Sequence, residues 1–232
     1  MITGRVHDLG GKPIAGAHIS LSSRSDSAVT DAAGSFAIDL SANKRFTGNR
    51  ADSTTIVDTL LAAGDGYILT TRLLFNYSAS VDMALWENTY RLIDDEIPGW
   101  ADNPARFASF DTVLLYTLIN GGATPYLEHG AIDGIFQVLE KESESTCEIF
   151  IYRCMGATDA ASLFRYKTGT FTSPITLLWQ DTLVIVGSEF LGGAVFITHC
   201  ENFIFEISLS GYDELLKLQE DAIIFLSRYL RL

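Results

Sequence analysis

The sequence predicts a β-sandwich followed by an α+β domain with an antiparallel sheet and a C-terminal amphipathic helix. Three observations predict it. Between residues 2 and 85, short runs of alternating apolar and polar residues are separated by Gly, Asp and Pro clusters, the spacing of a sandwich. From 132 to 209 the strand-like runs follow one another in pairs with one helical interruption, which favours an antiparallel sheet over a doubly wound one. From 212 to 230 apolar residues recur at helical spacing opposite charged ones.

The elements follow in order. Ile2, Gly4 and Val6 alternate with polar neighbours, and 8–13 (DLGGKP) is a turn. Residues 17–21 form a second strand and 35–40 a third, after a turn at 30–34. Gly64-Asp65-Gly66 leads into a strand over 67–73, and 80–85 closes the series. Residues 87–106 read as a connector that mixes acids, proline and glycine, with Trp100 and Phe107 expected to pin it to the second domain. Asp94, Asp95 and Glu96 lack the spaced oxygen ligands and turn glycines of a calcium loop.

Asp111 then stands as an N-cap for a short, almost wholly apolar helix through Val113, Leu114, Leu115, Leu118 and Ile119, expected to be buried on most sides. Asn120-Gly121-Gly122 stops it, since glycine takes the left-handed conformation without a Cβ penalty. Thr124 is the expected cap of a second turn of helix, Pro125 suits its first position, and Gly130 releases the chain into a strand. Residues 132–140 and 146–153 read as a hairpin, and Thr158-Asp159 as the cap of a helix to about 167 that packs through Ala160, Ala161, Leu163 and Phe164. Strands follow at 175–179, 182–187, 194–199 and 203–209. In the last helix Asp213 and Glu214 fall in the first turn and Arg228 near the end, which suits the macrodipole. Its expected stripe is Leu215, Leu216, Ala222, Ile223, Leu226 and Leu230.

Two resemblances divide the chain. GRVHDLGGKPIAGAHISL, then TDAAGSFAI, a GY-led strand and VDMAL resemble the carboxypeptidase regulatory-like domain over residues 1–86. That family implies a small transthyretin-like sandwich and a non-catalytic accessory role on secreted, periplasmic or surface proteins. The chain departs from it at 41–54, a polar insertion in which Lys44, Arg45 and Arg50 form the basic cluster of an acidic chain and a candidate binding loop. Over 107–232, LLYTLINGGATPYLEHG, a hairpin, MGATDAASLFRY, VGSEFLGGAVFITH and a terminal helix resemble an uncharacterised bacterial domain of extracytoplasmic, secreted or lipid-anchored proteins. No active site follows from that second resemblance.

Composition bounds the function. The chain has 232 residues and a net charge of −13, which argues against nucleic acid and anionic lipid, since both need a basic face. No apolar run is long enough for a transmembrane helix. The chain opens directly in a strand pattern. It is expected to be periplasmic, secreted or surface-anchored if a leader preceded Met1, and cytoplasmic otherwise. Cys147, Cys154 and Cys200 form no CxxC pair, so buried free thiols are expected rather than a disulfide framework or a zinc site. His7, His18, His129 and His199 stand apart, no G-x-S-x-G is present, and no cofactor or metal is expected.

The candidate binding residues gather at the glycine break: Asn120, Gly121, Gly122, Tyr126, Glu128, His129 and Asp133. A carboxylate and an imidazole there suit acid–base chemistry, yet a tight structural corner accounts for the same residues, and a Gly-Gly pair without the rest of a phosphate loop is a weak motif. The expected function is therefore that of a non-enzymatic accessory or binding protein with a protein or saccharide partner. The alternatives are an enzyme with its site near Asn120–Asp133 and a structural spacer at the cell envelope.

Overall fold

The computed structural model describes residues 1–40, 58–75, 80–94, 96–119, 121–141, 145–180, 183–212 and 214–230. The chain divides into two compact units, 1–91 and 92–232. The loop cations Lys44, Arg45 and Arg50, together with Asn120 and Asp213, lie outside the described residues.

The first unit is built from β1 (Ile2–Asp8), β2 (His18–Leu21), β3 (Ser27–Val29), β4 (Ser35–Ile38), β5 (Asp58–Ala63), β6 (Thr70–Leu74) and β7 (Ser80–Leu85). They form one sheet in the order β4-β1-β7 and another in the order β3-β2-β5-β6. All pairs are antiparallel except β1–β7, which is parallel. Alternation sends Ile2, Val6, Ile38 and Met83 from one sheet and Ile19, Leu21, Leu60 and Leu74 from the other into a single core. Buried Thr30 closes that core at one edge: its hydroxyl donates to the Ile14 carbonyl (2.7 Å) and accepts from the Ala17 amide (2.8 Å). Strands β3 and β5 were not expected. The first has three residues, and the second reads DTLLAA, an apolar run without alternation.

In the second unit, β8 (Trp100–Asp102), β9 (Ala108–Asp111), β10 (Ala131–Lys141), β11 (Ser145–Cys154), β12 (Ile175–Trp179), β13 (Leu183–Phe190), β14 (Gly193–Cys200) and β15 (Phe203–Ser210) make an eight-stranded antiparallel sheet among the described residues. Its order is β12-β13-β14-β15-β11-β10-β8, and β9 also pairs with β10. Helices α1 (Thr112–Leu118), α2 (Thr124–Glu128) and α3 (Ala157–Thr168) pack on the face that presents Phe136, Tyr152, Ile197 and Ile204. Helix α4 (Leu215–Tyr229) packs on the opposite face, where Tyr229 stacks on Phe205 at 5.9 Å. No helix among the described residues is long and apolar enough to cross a membrane.

Several local expectations change. Asp111 caps α1 as expected, its carboxylate accepting from the Val113 and Leu114 amides at 2.9 Å. Yet α1 buries only Leu115 fully, because one face meets the sheet and Tyr116 and Thr117 face solvent. Ala123 rather than Thr124 precedes α2, and Gly156 rather than Thr158 precedes α3, leaving Asp159 in the first turn. Helix α4 begins at Leu215, so Glu214 flanks it. Its inward stripe is Leu218, Ala222, Phe225, Leu226 and Tyr229, and this i, i+4, i+7, i+8, i+11 series leaves Leu216 68% exposed.

Much of the stretch read as a connector belongs to the second unit. Strand β8 pairs with β10, and the buried Trp100 ring meets Phe225 edge-on at 5.1 Å. Fully buried Gln137 clasps the incoming chain. Its amide oxygen accepts from the Leu92 N–H (3.1 Å), while its Nε2 donates to the Leu92 carbonyl and to Asp102 (2.9 Å).

One packing device recurs in both units. Gly4 lies opposite Phe36, Gly134 opposite Phe110, Gly187 opposite Phe196, and Gly193 opposite Phe190. In each pair the ring lies across the glycine: a Cβ on Gly4 would stand 2.7 Å from Phe36, and one on Gly187 would stand 2.5 Å from Phe196. The aromatic side chain covers backbone that glycine leaves bare and fixes the register of the pair.

Candidate functional site

The described residues among those expected at the glycine break do not share one site. Gly121 turns the chain at φ +81, and its amide donates to the Tyr116 carbonyl at 2.6 Å. Glu128 is exposed. His129 Nδ1 pairs with Ser162 Oγ (2.9 Å), and its ring lies 5.0 Å from that of Tyr166. Asp133 sits across from Arg153 in the β10–β11 ladder and takes a two-pronged ion pair from its guanidinium. His129 and Asp133 thus serve different partners.

Gly122 and Tyr126 instead border a concavity of about 410 Å³ on the α1–α3 face of the sheet. Helix α3 supplies its other wall. Ala160, Leu163 and Lys167 follow at i, i+3 and i+7, so the stripe that buries the first two turns the lysine inward as well. Lys167 is only 8% exposed. Strand β15 supplies its counter-charge. Glu206 is two residues from Ile204 and opposite Ile197, so it shares their inward face. Lys167 Nζ lies 2.5 Å from Glu206 Oε2 and donates to the Tyr126 hydroxyl at 2.7 Å. It also sits over the Tyr126 ring, 4.4 Å from the centroid, and 5.3 Å from that of Tyr152. Tyr166, Thr170, Phe171 and Val195 form the rim and remaining wall.

Electrostatics act on Lys167 and Tyr152 in opposite senses of charge. Burial disfavours the Lys167 ammonium, but the Glu206 carboxylate and the Tyr126 hydroxyl outweigh it and hold its pKa above the ordinary lysine value. Burial, with Glu206 and Tyr126 beside it, pushes the Tyr152 phenol well above its usual range. The floor thus favours the charged form of Lys167 and the neutral form of the Tyr152 phenol. Burial raises all three thiols, and nearby carboxylates reinforce it: Asp221 and Glu148 at Cys147, Asp159 and Asp133 at Cys154 (to about 11), and Glu201 at Cys200. Protonated thiols are poor nucleophiles. Cys147 and Cys154 are buried, whereas Cys200, at the end of β14, is exposed. Among the described residues no group of three or more His, Cys, Asp or Glu side chains is placed to hold a metal ion.

Lys167 and Glu206 were missed in the sequence because each resembles a surface charge on its own. Alternation in FIFEISLS gave little signal: Glu206 falls in phase with Ile204 but also with Ser208 and Ser210, so that face reads as the polar one. Compared with known proteins, the chain matches no family model and no curated sequence.

Proposed function

We propose that the protein is a non-enzymatic binding protein whose ligand seats in the concavity between α2, α3 and strands β14–β15. The observation that supports this reading most directly is the aromatic rim over a charge-balanced floor, in which Lys167 is already engaged by Glu206 and Tyr126. An enzyme reading would gain support from convergent acid and base groups. Here Glu128 is exposed, while His129 pairs with Ser162 and Asp133 with Arg153. The first unit is read as a transthyretin-like accessory module, supported by its two small sheets around one core. That role fits an extracytoplasmic protein, a placement that fractionation of the source cells with a specific antibody tests.

The site is tested by amide chemical-shift mapping against a library of small neutral and charged fragments. Binders are expected to move the amides around 119–127, 166–171 and 195–197 and to be recovered chemically unchanged after long incubation. Turnover of a bound compound, or shifts confined to other regions, would overturn the proposal.

A further inference from the structure

We propose that the ligand of this concavity is a neutral saccharide, a mono- or disaccharide held by its apolar ring face and its hydroxyl edge. The inference rests on the binding reading above and names the ligand class. Charge is the first argument. The floor holds one ammonium and one carboxylate 2.5 Å apart, each the other's partner. A charged ligand would compete for one of them and strand the other in a buried place, which is costly. A neutral ligand leaves the pair intact.

The lining is the second argument. Tyr166 and Phe171 present aromatic surface at the rim, and Ile119, Val195 and Ile197 extend it inward. One face of a pyranose ring is a row of C–H groups that packs on such surfaces. The polar groups are the third argument. The Glu206 carboxylate is taken up by Lys167, while the Thr170 hydroxyl at the edge donates to the Lys167 carbonyl (2.8 Å) and keeps its lone pairs for another donor. An acceptor at the edge suits a ligand that brings O–H donors. The volume of about 410 Å³ lies within the range of small-molecule sites.

Tyr166 is the specificity element with the cleanest test. Its side chain is 41% exposed, and its ring is braced by His129 at 5.0 Å, so truncation removes ligand surface without opening the core. The full chain is titrated by calorimetry and amide shift mapping with glucose, galactose, mannose, N-acetylglucosamine, cellobiose and maltose. Glucuronate and glucosamine serve as charged counterparts. At least one neutral sugar is expected to bind and to shift the amides around the concavity. Tyr166→Ala weakens it by about tenfold while Tyr166→Phe retains it, and neither charged counterpart binds better than its neutral parent. If fragments of another class occupy the concavity and no neutral sugar does, the saccharide assignment falls and the binding reading stands. The assignment also falls if Tyr166→Ala leaves sugar affinity unchanged. If no compound of either panel enters the concavity, both fall.

Discussion

Lys167 and Glu206 exchange one buried charge for another, so removing either differs from removing both. Lys167→Met alone leaves the largely buried Glu206 without its cation and is expected to cost about 3 kcal/mol or more. The double variant Lys167→Met/Glu206→Gln is expected to lose less than the sum of the singles in a denaturant cycle; strict additivity would mean the pair is not coupled. The pH sign follows from the raised lysine pKa. Its contribution is complete below the unfolded value of about 10.4 and is lost as pH rises through the folded value. Gly121 is the second decisive residue. At φ +81, with no atom within 4 Å of a would-be Cβ, its constraint is the backbone angle alone. Gly121→Val is expected to lower stability by about 1 kcal/mol or more, and Gly121→Asn by clearly less. Equal melting of the two variants would show that the α1–α2 corner does not depend on that angle. The glycine corner was legible because its chemistry is local. The Lys167–Glu206 pair was not, because its partners meet only after α3 has docked on β15.

At the level of elements, Gln137 does the work of a missing strand neighbour. It takes both backbone groups of Leu92 and holds Asp102, so the entry to the second unit is fastened to β10 from within. Gln137→Leu keeps the volume and removes three partners at once. The expected loss is about 2 kcal/mol in the second unit, read as a shifted denaturation midpoint, because buried backbone groups are left unpaired. A midpoint equal to the parent's would mean that the clasp is replaced by other contacts. Hairpins β10–β11 and β14–β15 were legible from alternation and turn residues. Strand β8 was not, since WAD has three residues beside a proline-rich stretch and its pairing is decided by β10. Helix α4 was legible as a helix. Its inward stripe differs from the expected one because Phe225 and Tyr229 are drawn to Trp100 and Phe205 on the sheet.

At the scale of the molecule, Asp58 in the first unit and Lys167 in the second respond to opposite ends of the pH range. In the first, burial works against the Asp58 charge, but hydrogen bonds from Ser23, Thr59 and Ser22 outweigh it and hold its pKa below the ordinary carboxylate value. Its contribution is present above an unfolded pKa of about 3.9 and is lost as pH falls through the folded value. Separate chains 1–91 and 92–232 are each expected to fold cooperatively. Asp58→Asn should flatten only the acid limb of the first, and Lys167→Met only the alkaline limb of the second, in melts followed by circular dichroism. Failure of either separate chain to melt cooperatively would refute the division. The glycine–phenylalanine pairs cross that division, appearing in both units. A ring laid over a bare Cα is not the only thing that keeps these positions bare. A Cβ on Gly4, Gly134 or Gly193 would also meet a carbonyl oxygen of the neighbouring strand at 1.9, 2.2 or 2.1 Å, so trimming the phenylalanine would not admit a side chain there. Gly187, where the Phe196 ring at 2.5 Å is nearer than the Val195 carbonyl at 3.1 Å, is the place where a smaller partner would relieve most of the clash.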